Sequence, residues 1–323
     1  MSDNRAMSNA DFALPIDAVL PDVIAALRDT GRVVLQAPPG AGKTTRVPLA
    51  MLDARLTQGR ILMLEPRRLA ARAAAARMAE SLGEETGQTV GFRVRGASAV
   101  SKNTRIEVVT EGILTRMLQD NPDLPGVGAV IFDEFHERSL NADLGLALCL
   151  EVAGALRDDL LLVAMSATLD AAPVAELMEA PIVTSEGRSF EVVPRWLDKP
   201  MGKQRLENAV ADLTLTALAE APGSALVFLP GEGEIKRVEA LLRPALPPDC
   251  TLAPLFGALD FKAQQAAIAP VRSGRKVVLA TSIAETSLTI EGIRIVVDAG
   301  RSRRALFDPA SGMSRLVTER VTR

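Results

Sequence analysis

Between residues 37 and 44 the chain reads Ala37-Pro38-Pro39-Gly40-Ala41-Gly42-Lys43-Thr44. Gly40 and Gly42 allow the backbone to turn its N–H groups inward onto an anion, and a helical stretch that begins near Lys43 adds its N-terminal dipole. That is a cradle for phosphates. Pro39, Gly40, Ala41, Gly42 and Thr45 shape it, Lys43 reaches the β- and γ-phosphates of a nucleoside triphosphate such as ATP, and the Thr44 hydroxyl ligates Mg2+. The first position is Ala37, where the usual pattern has glycine. Ninety residues beyond Lys43 a second apolar run ends in Asp133-Glu134-Phe135-His136. An ATPase of this kind needs a carboxylate at the tip of a neighbouring strand to hold the metal through water, and Asp133 fits. Glu134, counted with Thr44 and Asp133 at the metal site, is placed to orient and deprotonate the attacking water. Taken singly, the two segments also read as a Gly/Pro-rich helix cap and a solvated acidic strand end; together they point to triphosphate hydrolysis. His136, the one histidine of the chain, is expected to hydrogen-bond across a domain cleft and sense the nucleotide state.

These residues must be held by strand ends and helix starts. Short β-branched runs alternate with Ala- and Leu-rich helical stretches, the pattern of a parallel sheet with crossover helices. Strands are expected at 32–36, 60–64, 106–110, 129–132 and 160–164, with helices over 44–56, 68–82, 111–119 and 140–156. Several strands are continuously apolar, as when helices cover both faces. The periodicity breaks around residues 186–200 and then resumes, with strands at 225–229, 251–255, 276–280 and 293–297 and a hairpin of 304–308 with 314–319. The division is a loosely ordered N-terminus over 1–13, an α/β domain over 14–187 and a second over 188–323.

Composition narrows the class. With 323 residues, 48% hydrophobic and 24% charged, the chain is globular and suits two domains. A net charge of −3 offers no global basic field, so a nucleic acid would have to be held by local arginines. Cys149 and Cys250 match no metal spacing and read as inert thiols in a reducing compartment. The sequence has no stretch apolar enough to span a bilayer and no signal-peptide pattern, so no membrane partner and a cytoplasmic location are expected. A monomer is expected.

Asp-Glu-x-His beside this phosphate loop resembles the DEAH-box helicases of superfamily 2. The other family blocks follow in family order: LEPRRLAA (64–71), TEGILTRML (110–118), MSATLD (165–170), ALVFLPGEGEI (225–235) and ATSIAETSLTIEGI (280–293). Their combination is most similar to the bacterial HrpB-type ATP-dependent helicases and covers roughly residues 30–300. The resemblance implies two tandem RecA-like P-loop NTPase domains, mostly parallel sheets with helices on both faces, with ATP between them and single-stranded RNA running across both. Arg67 and Arg68, after Pro66 and opening a helix, would meet strand phosphates, as would the Thr110-Glu111-Gly112 turn and, on the second domain, Thr281. DNA as the track stays open, because backbone contacts carry no base information. Arg72 and Arg77 read as a solvated helix face. Ser166-Ala167-Thr168 would relay nucleotide state to strand movement.

The chain also departs from the family. It ends at Arg323, before any Gln-Arg-x-Gly-Arg-x-Gly-Arg block, whose arginines would add about 10³–10⁵ in rate; a truncated chain with ATP binding and weak hydrolysis is the expectation. A nucleotide-dependent RNA-binding module crippled in catalysis is the alternative. The adenine sandwich of the family falls on Arg138 and Arg301, two guanidiniums rather than an arginine and an aromatic, which implies relaxed preference among nucleoside triphosphates. Thr289 and Glu291 match positions near the ribose and the cleft, and Ser282 stands where Asn is commoner.

Overall fold

The computed structural model describes residues 14–167, 171–187, 191–197, 202–271, 273–285 and 290–321. The expected N-terminal segment 1–13, Thr168 and Thr289 lie outside the described residues. The chain divides into two compact units, Met1–Val192 and Val193–Arg323.

The first unit opens with a 3₁₀ turn at Pro15–Ala18, then α1 (Leu20–Thr30), β1 (Arg32–Gln36), α2 (Lys43–Asp53), β2 (Arg60–Glu65) and α3 (Arg68–Ser81). A short pair, β3 (Val90–Val94) and β4 (Ala97–Ala99), precedes β5 (Ile106–Thr110), α4 (Glu111–Asp120) and β6 (Val127–Phe132). A 3₁₀ turn at Phe135–Glu137 leads to α5 (Leu140–Ala155), β7 (Leu161–Ser166), α6 (Ala172–Met178) and β8 (Ile182–Thr184). The eight strands form one sheet in the order β4-β3-β5-β2-β6-β7-β1-β8. All its pairings are parallel except β3 with β4.

Strand alternation builds two cores, one on each face. Val33, Leu35, Ile61, Met63, Ile131, Val163 and Met165 pack on one side. Their neighbours Val34, Leu62, Leu64, Val130, Phe132, Leu162 and Ala164 pack on the other. Because the central strands run parallel, the residues just past β5, β2, β6, β7 and β1 all emerge along one edge, where open α/β sheets present their ligand sites. Contrary to the expected arrangement, the strand carrying Asp133 is not the neighbour of β1, because β7 lies between β6 and β1 and pairs with both. The edge pair β3–β4 and the three-residue β8 also extend the sheet beyond the expected strands.

The second unit comprises α7 (Leu206–Glu220), β9 (Ser224–Phe228), α8 (Glu232–Leu242), β10 (Cys250–Leu255), α9 (Phe261–Ile268), β11 (Arg275–Ala280) and β12 (Ile293–Asp298). Its four strands are parallel in the order β10-β11-β9-β12. Edge strand β12 alternates between buried and exposed residues, with Val296 62% exposed, so helices do not cover both of its faces. A separate antiparallel hairpin follows, β13 (Arg301–Asp308) with β14 (Met313–Arg320). Among the described residues no helix is long and apolar enough to cross a membrane.

Candidate functional site

The loop leaving β1 is built on two left-handed glycines. Gly40 has φ of 76° and Gly42 of 96°. A Cβ at Gly42 would lie 2.5 Å from Leu14 Cδ1, so a side chain there would be strained by its conformation and would have to displace Leu14. The 3₁₀ turn ahead of α1 braces the loop, since the Ile16 N–H donates to Ala41 O at 3.2 Å and Ile16 is fully buried. Pro39 and Gly40 are exposed at the tip, while Ala41 and Lys43 are buried. Helix α2 starts at Lys43 without a side-chain cap and without an acidic residue in its first turn. Its N-terminal partial positive charge therefore faces the loop without a carboxylate of its own turn.

The loop and the acidic box are in contact. Lys43 Nζ lies 3.0 Å from Glu134 Oε1, and Thr44 Oγ1 donates to Asp133 Oδ2 at 2.5 Å. Asp133 Oδ1 accepts the Glu134 N–H at 2.8 Å, and the Asp133 N–H donates to Leu64 O, so the aspartate is fixed from three sides. The first helical turn of α2 bridges the intervening β7, whose Ser166 carbonyl accepts the Ala37 N–H at 3.0 Å.

A third carboxyl, absent from the expected site, completes the cluster. Glu65 ends β2 at 1% exposure. Burial pushes its carboxyl well above the ordinary value, and the Asp133 and Glu134 charges with a hydrogen bond to Asp133 push the same way, against Lys43. The signal was legible as an acidic residue closing the otherwise apolar run Arg60–Leu64.

The single Lys43 ammonium is thus outnumbered by Asp133 and Glu134, with Glu65 buried beside them, and such a local excess of negative charge suits a divalent cation. Among the described residues no closed cage of three or more acidic, His or Cys ligands exists. Thr44 and Asp133 alone converge, which fits Mg2+, an ion that takes one or two protein groups and completes its shell with water and phosphate oxygens.

His136 Nδ1 accepts the Ala167 N–H at 3.2 Å and stands 3.4 Å from Glu134 Oε2. One nitrogen cannot serve both contacts in one proton state: unprotonated, it accepts from Ala167; protonated, it donates to Glu134. The observed amide partner belongs to the first unit, just past the end of β7. Arg138 makes a two-pronged contact with Asp143, at 3.0 and 3.1 Å, with its guanidinium 5.8 Å from the centre of the Phe135 ring.

The expected strand-contacting residues sit at two helix starts. Arg67 precedes α3 in extended conformation and its guanidinium lies 3.6 Å from Glu137, while Arg68 is exposed as the first helical residue. Thr110 precedes α4, Glu111 opens it and accepts a hydrogen bond from the Ser139 hydroxyl, and Gly112 is exposed with open space around it. Burial raises the Glu111 carboxyl, Glu137 and Asp143 add to this, and Ser139 opposes it. Arg72 departs from the expected solvated face, since it is half-buried with its guanidinium 5.3 Å from the Phe92 ring centre. On the second unit, Thr281 follows β11, its N–H donating to Leu255 O and its carbonyl accepting from Ala284, while Glu291 and Arg301 are exposed.

Known proteins share this organisation. The family model of DEAD/DEAH box helicases matches residues 19–177, and that of the helicase conserved C-terminal domain matches residues 206–316. The chain is 55% identical over 312 residues to the ATP-dependent RNA helicase HrpB of Escherichia coli K12, covering 96% of this chain and 38% of that protein. It is 34% identical over 317 residues to the ATP-dependent RNA helicase HrpA of the same organism, covering 96% of this chain and 24% of that one. The crystal structure of the E. coli DEAH/RHA helicase HrpB superposes with a TM-score of 0.89 over 96% of this chain and 40% of that one, again at 55% identity. The chain therefore spans about two fifths of the length of HrpB and about a quarter of HrpA.

Proposed function

Because the chain belongs to the DEAD/DEAH-box helicase family, we propose that it is a nucleic-acid-stimulated ATPase that couples hydrolysis to movement along, or remodelling of, single-stranded RNA. The observation that carries this reading is the double bridge of Lys43 to Glu134 and Thr44 to Asp133. It sets the phosphate-binding lysine, the metal-facing hydroxyl and the two carboxylates of the acidic box within one hydrogen bond of one another.

Incoming β- and γ-phosphates present Lys43 with denser negative charge than one carboxylate does. Lys43 exchanges Glu134 for phosphate, and the released Glu134 orients the attacking water and takes its proton. Thr44 and Asp133 are the residues that would hold Mg2+, the hydroxyl directly and the carboxylate through water, and the ion when bound would supply positive charge against the phosphates. Gly40, Gly42 and the start of α2 present backbone N–H groups to the phosphate oxygens. Glu65 stays buried behind Asp133. Arg138 lies against the base; with no glutamine-type reader upstream of the loop, ATP and GTP should compete with affinities within about tenfold of each other.

Arg67, Arg68 and the Thr110–Gly112 turn are the first-unit contacts to the strand, and Thr281 is that of the second. RNA is favoured over DNA because both E. coli relatives are named as RNA helicases. Action as a monomer in the cytoplasm completes the reading.

ATP hydrolysis by the parent chain and by Lys43→Ala, without nucleic acid and with single-stranded RNA or DNA of equal length, tests the assignment. Turnover stimulated by RNA and abolished in Lys43→Ala is expected. Equal turnover in the two chains sinks the reading, and stimulation by DNA alone sinks the RNA assignment.

A further inference from the structure

The residues that follow the acidic box make contacts that hydrolysis does not require. From Asp133 to Ser139 the backbone takes two left-handed positions, Glu134 at φ 49° and Arg138 at φ 50°, on either side of the 3₁₀ turn Phe135–Glu137. The turn is pinned from below. Phe135 is buried and packs edge-on against Phe132, their ring centres 6.0 Å apart. The reversals on both sides fan the polar side chains outward from this pivot. Glu134 reaches Lys43, and His136 reaches the end of β7. Glu137 reaches Arg67 at the start of α3, and Ser139 donates to Glu111 at the start of α4.

Two of these links therefore run from the acidic box to the two helix starts that face the strand in the reading above, on which this inference rests. Their chemistry is competitive. A strand phosphate approaching Arg67 seeks the same guanidinium that Glu137 holds, and its charge repels Glu137 and Glu111 alike. Ser139 cannot follow passively, because its hydroxyl oxygen also caps α5 by accepting the Ala142 N–H at 2.9 Å. A displacement of Glu111 thus pulls on the first turn of α5 and on the segment leading back to Glu134.

We propose that Glu137 and Ser139 are positioning residues that couple strand binding at Arg67 and Glu111 to the placement of Glu134. Without a strand, Glu137 holds Arg67, and Ser139 holds Glu111, in one arrangement of the segment. Strand phosphate withdraws Arg67 from Glu137 and shifts the segment, and nucleotide that draws Lys43 from Glu134 acts on the same segment from its other end. Such coupling is reciprocal, so it is readable from binding alone.

The test measures the affinity of a fluorescein-labelled oligouridylate for the full chain with and without a non-hydrolysable ATP analogue. The ratio of the two dissociation constants is the coupling factor. Glu137→Gln removes the competing charge. Ser139→Asp keeps an acceptor to cap α5 but removes the donor to Glu111, and Glu137→Asp and Ser139→Thr preserve both chemistries. In Glu137→Gln the oligouridylate should bind more tightly in the absence of nucleotide. In both disruptive variants the coupling factor should fall toward one by roughly fivefold or more, with analogue affinity and thermal midpoint held near those of the parent. The conservative variants should keep the parent's factor. A parent-like coupling factor in folded Glu137→Gln and Ser139→Asp overturns the inference while leaving the functional reading intact. A parent chain that binds no oligouridylate, or whose factor is already one, overturns the coupling; in the former case the strand-binding assignment falls with it.

Discussion

Lys43 Nζ and Glu134 Oε1 stand 3.0 Å apart with side chains only 4% and 11% exposed, an ion pair that closes the phosphate loop onto the acidic box. Removing one partner of a buried pair costs more than the pair itself contributes, because the other charge is left without compensation. Lys43→Met leaves the Glu134 carboxylate beside Asp133 and Glu65 without its ammonium. A loss of about 3–5 kcal/mol in urea unfolding of the first unit is expected. A variant as stable as the parent would mean that the carboxylates are compensated by groups other than Lys43.

Glu65 makes the stability of the first unit pH-dependent, and the sign follows from the direction of its shift. Its folded-state value is raised by burial and by the two neighbouring acids. The folded chain therefore keeps this proton over a range in which the unfolded chain has lost it, and stability falls as pH rises through that range. The contribution is fully present below the ordinary glutamate value of 4.5 and is lost as pH passes the raised value. Glu65→Gln should flatten the decline, gaining on the parent as pH rises above the ordinary glutamate value. Parallel pH profiles of the urea midpoint for the two chains would refute this.

Gly42 is constrained twice, by a φ of 96° and by Leu14 at 2.5 Å from where a Cβ would stand. Gly42→Ala should destabilise the first unit by about 1–3 kcal/mol and weaken nucleotide binding. Adding Leu14→Ala should restore part of the stability, since it removes the 2.5 Å contact and leaves the backbone strain with the 3.2 and 3.3 Å contacts of residue 14 Cβ and Ile16. Absence of any interaction between the two substitutions in a double-mutant cycle would show that Leu14 does not crowd the loop.

The two cysteines should differ in reactivity. Burial pushes the Cys149 thiol up to about 12, and Cys250 is raised also but is partly exposed. A disulfide reagent should modify one thiol slowly in the folded chain and the second only on unfolding. Rapid modification of both would show that the helix α5 face carrying Cys149 opens readily.

Much of this arrangement was legible in the residues. Continuous apolar runs such as Val33–Leu35 and Ala129–Phe132 announce strands covered on both faces, and the charged or glycine-rich residues after them mark the edge where a site forms. Ile16 and Leu14 were not legible as braces of the phosphate loop, because an apolar contact across some twenty-five residues leaves no periodic trace. The edge strands escaped for a different reason: β3 contains Gly91 and Arg93, and β8 has only three residues, too few for alternation to show. Pairing order was equally silent. The spacing of Lys43 and Asp133 allows several strand orders, and only the fold inserts β7 between β1 and β6. Glu137 and Ser139 look like ordinary solvated residues until Arg67 and Glu111 are brought beside them.

The left-handed backbone at Arg138 has a consequence of its own. An L side chain at φ 50° costs about 1–2 kcal/mol relative to an ordinary conformation, a cost that glycine avoids and asparagine lessens. The side chain offsets part of that cost through the exposed contact to Asp143 and through the face of Phe135, 5.8 Å away. Arg138→Gly would relieve the backbone and give up both contacts, so this position sets local backbone comfort against what its guanidinium can touch.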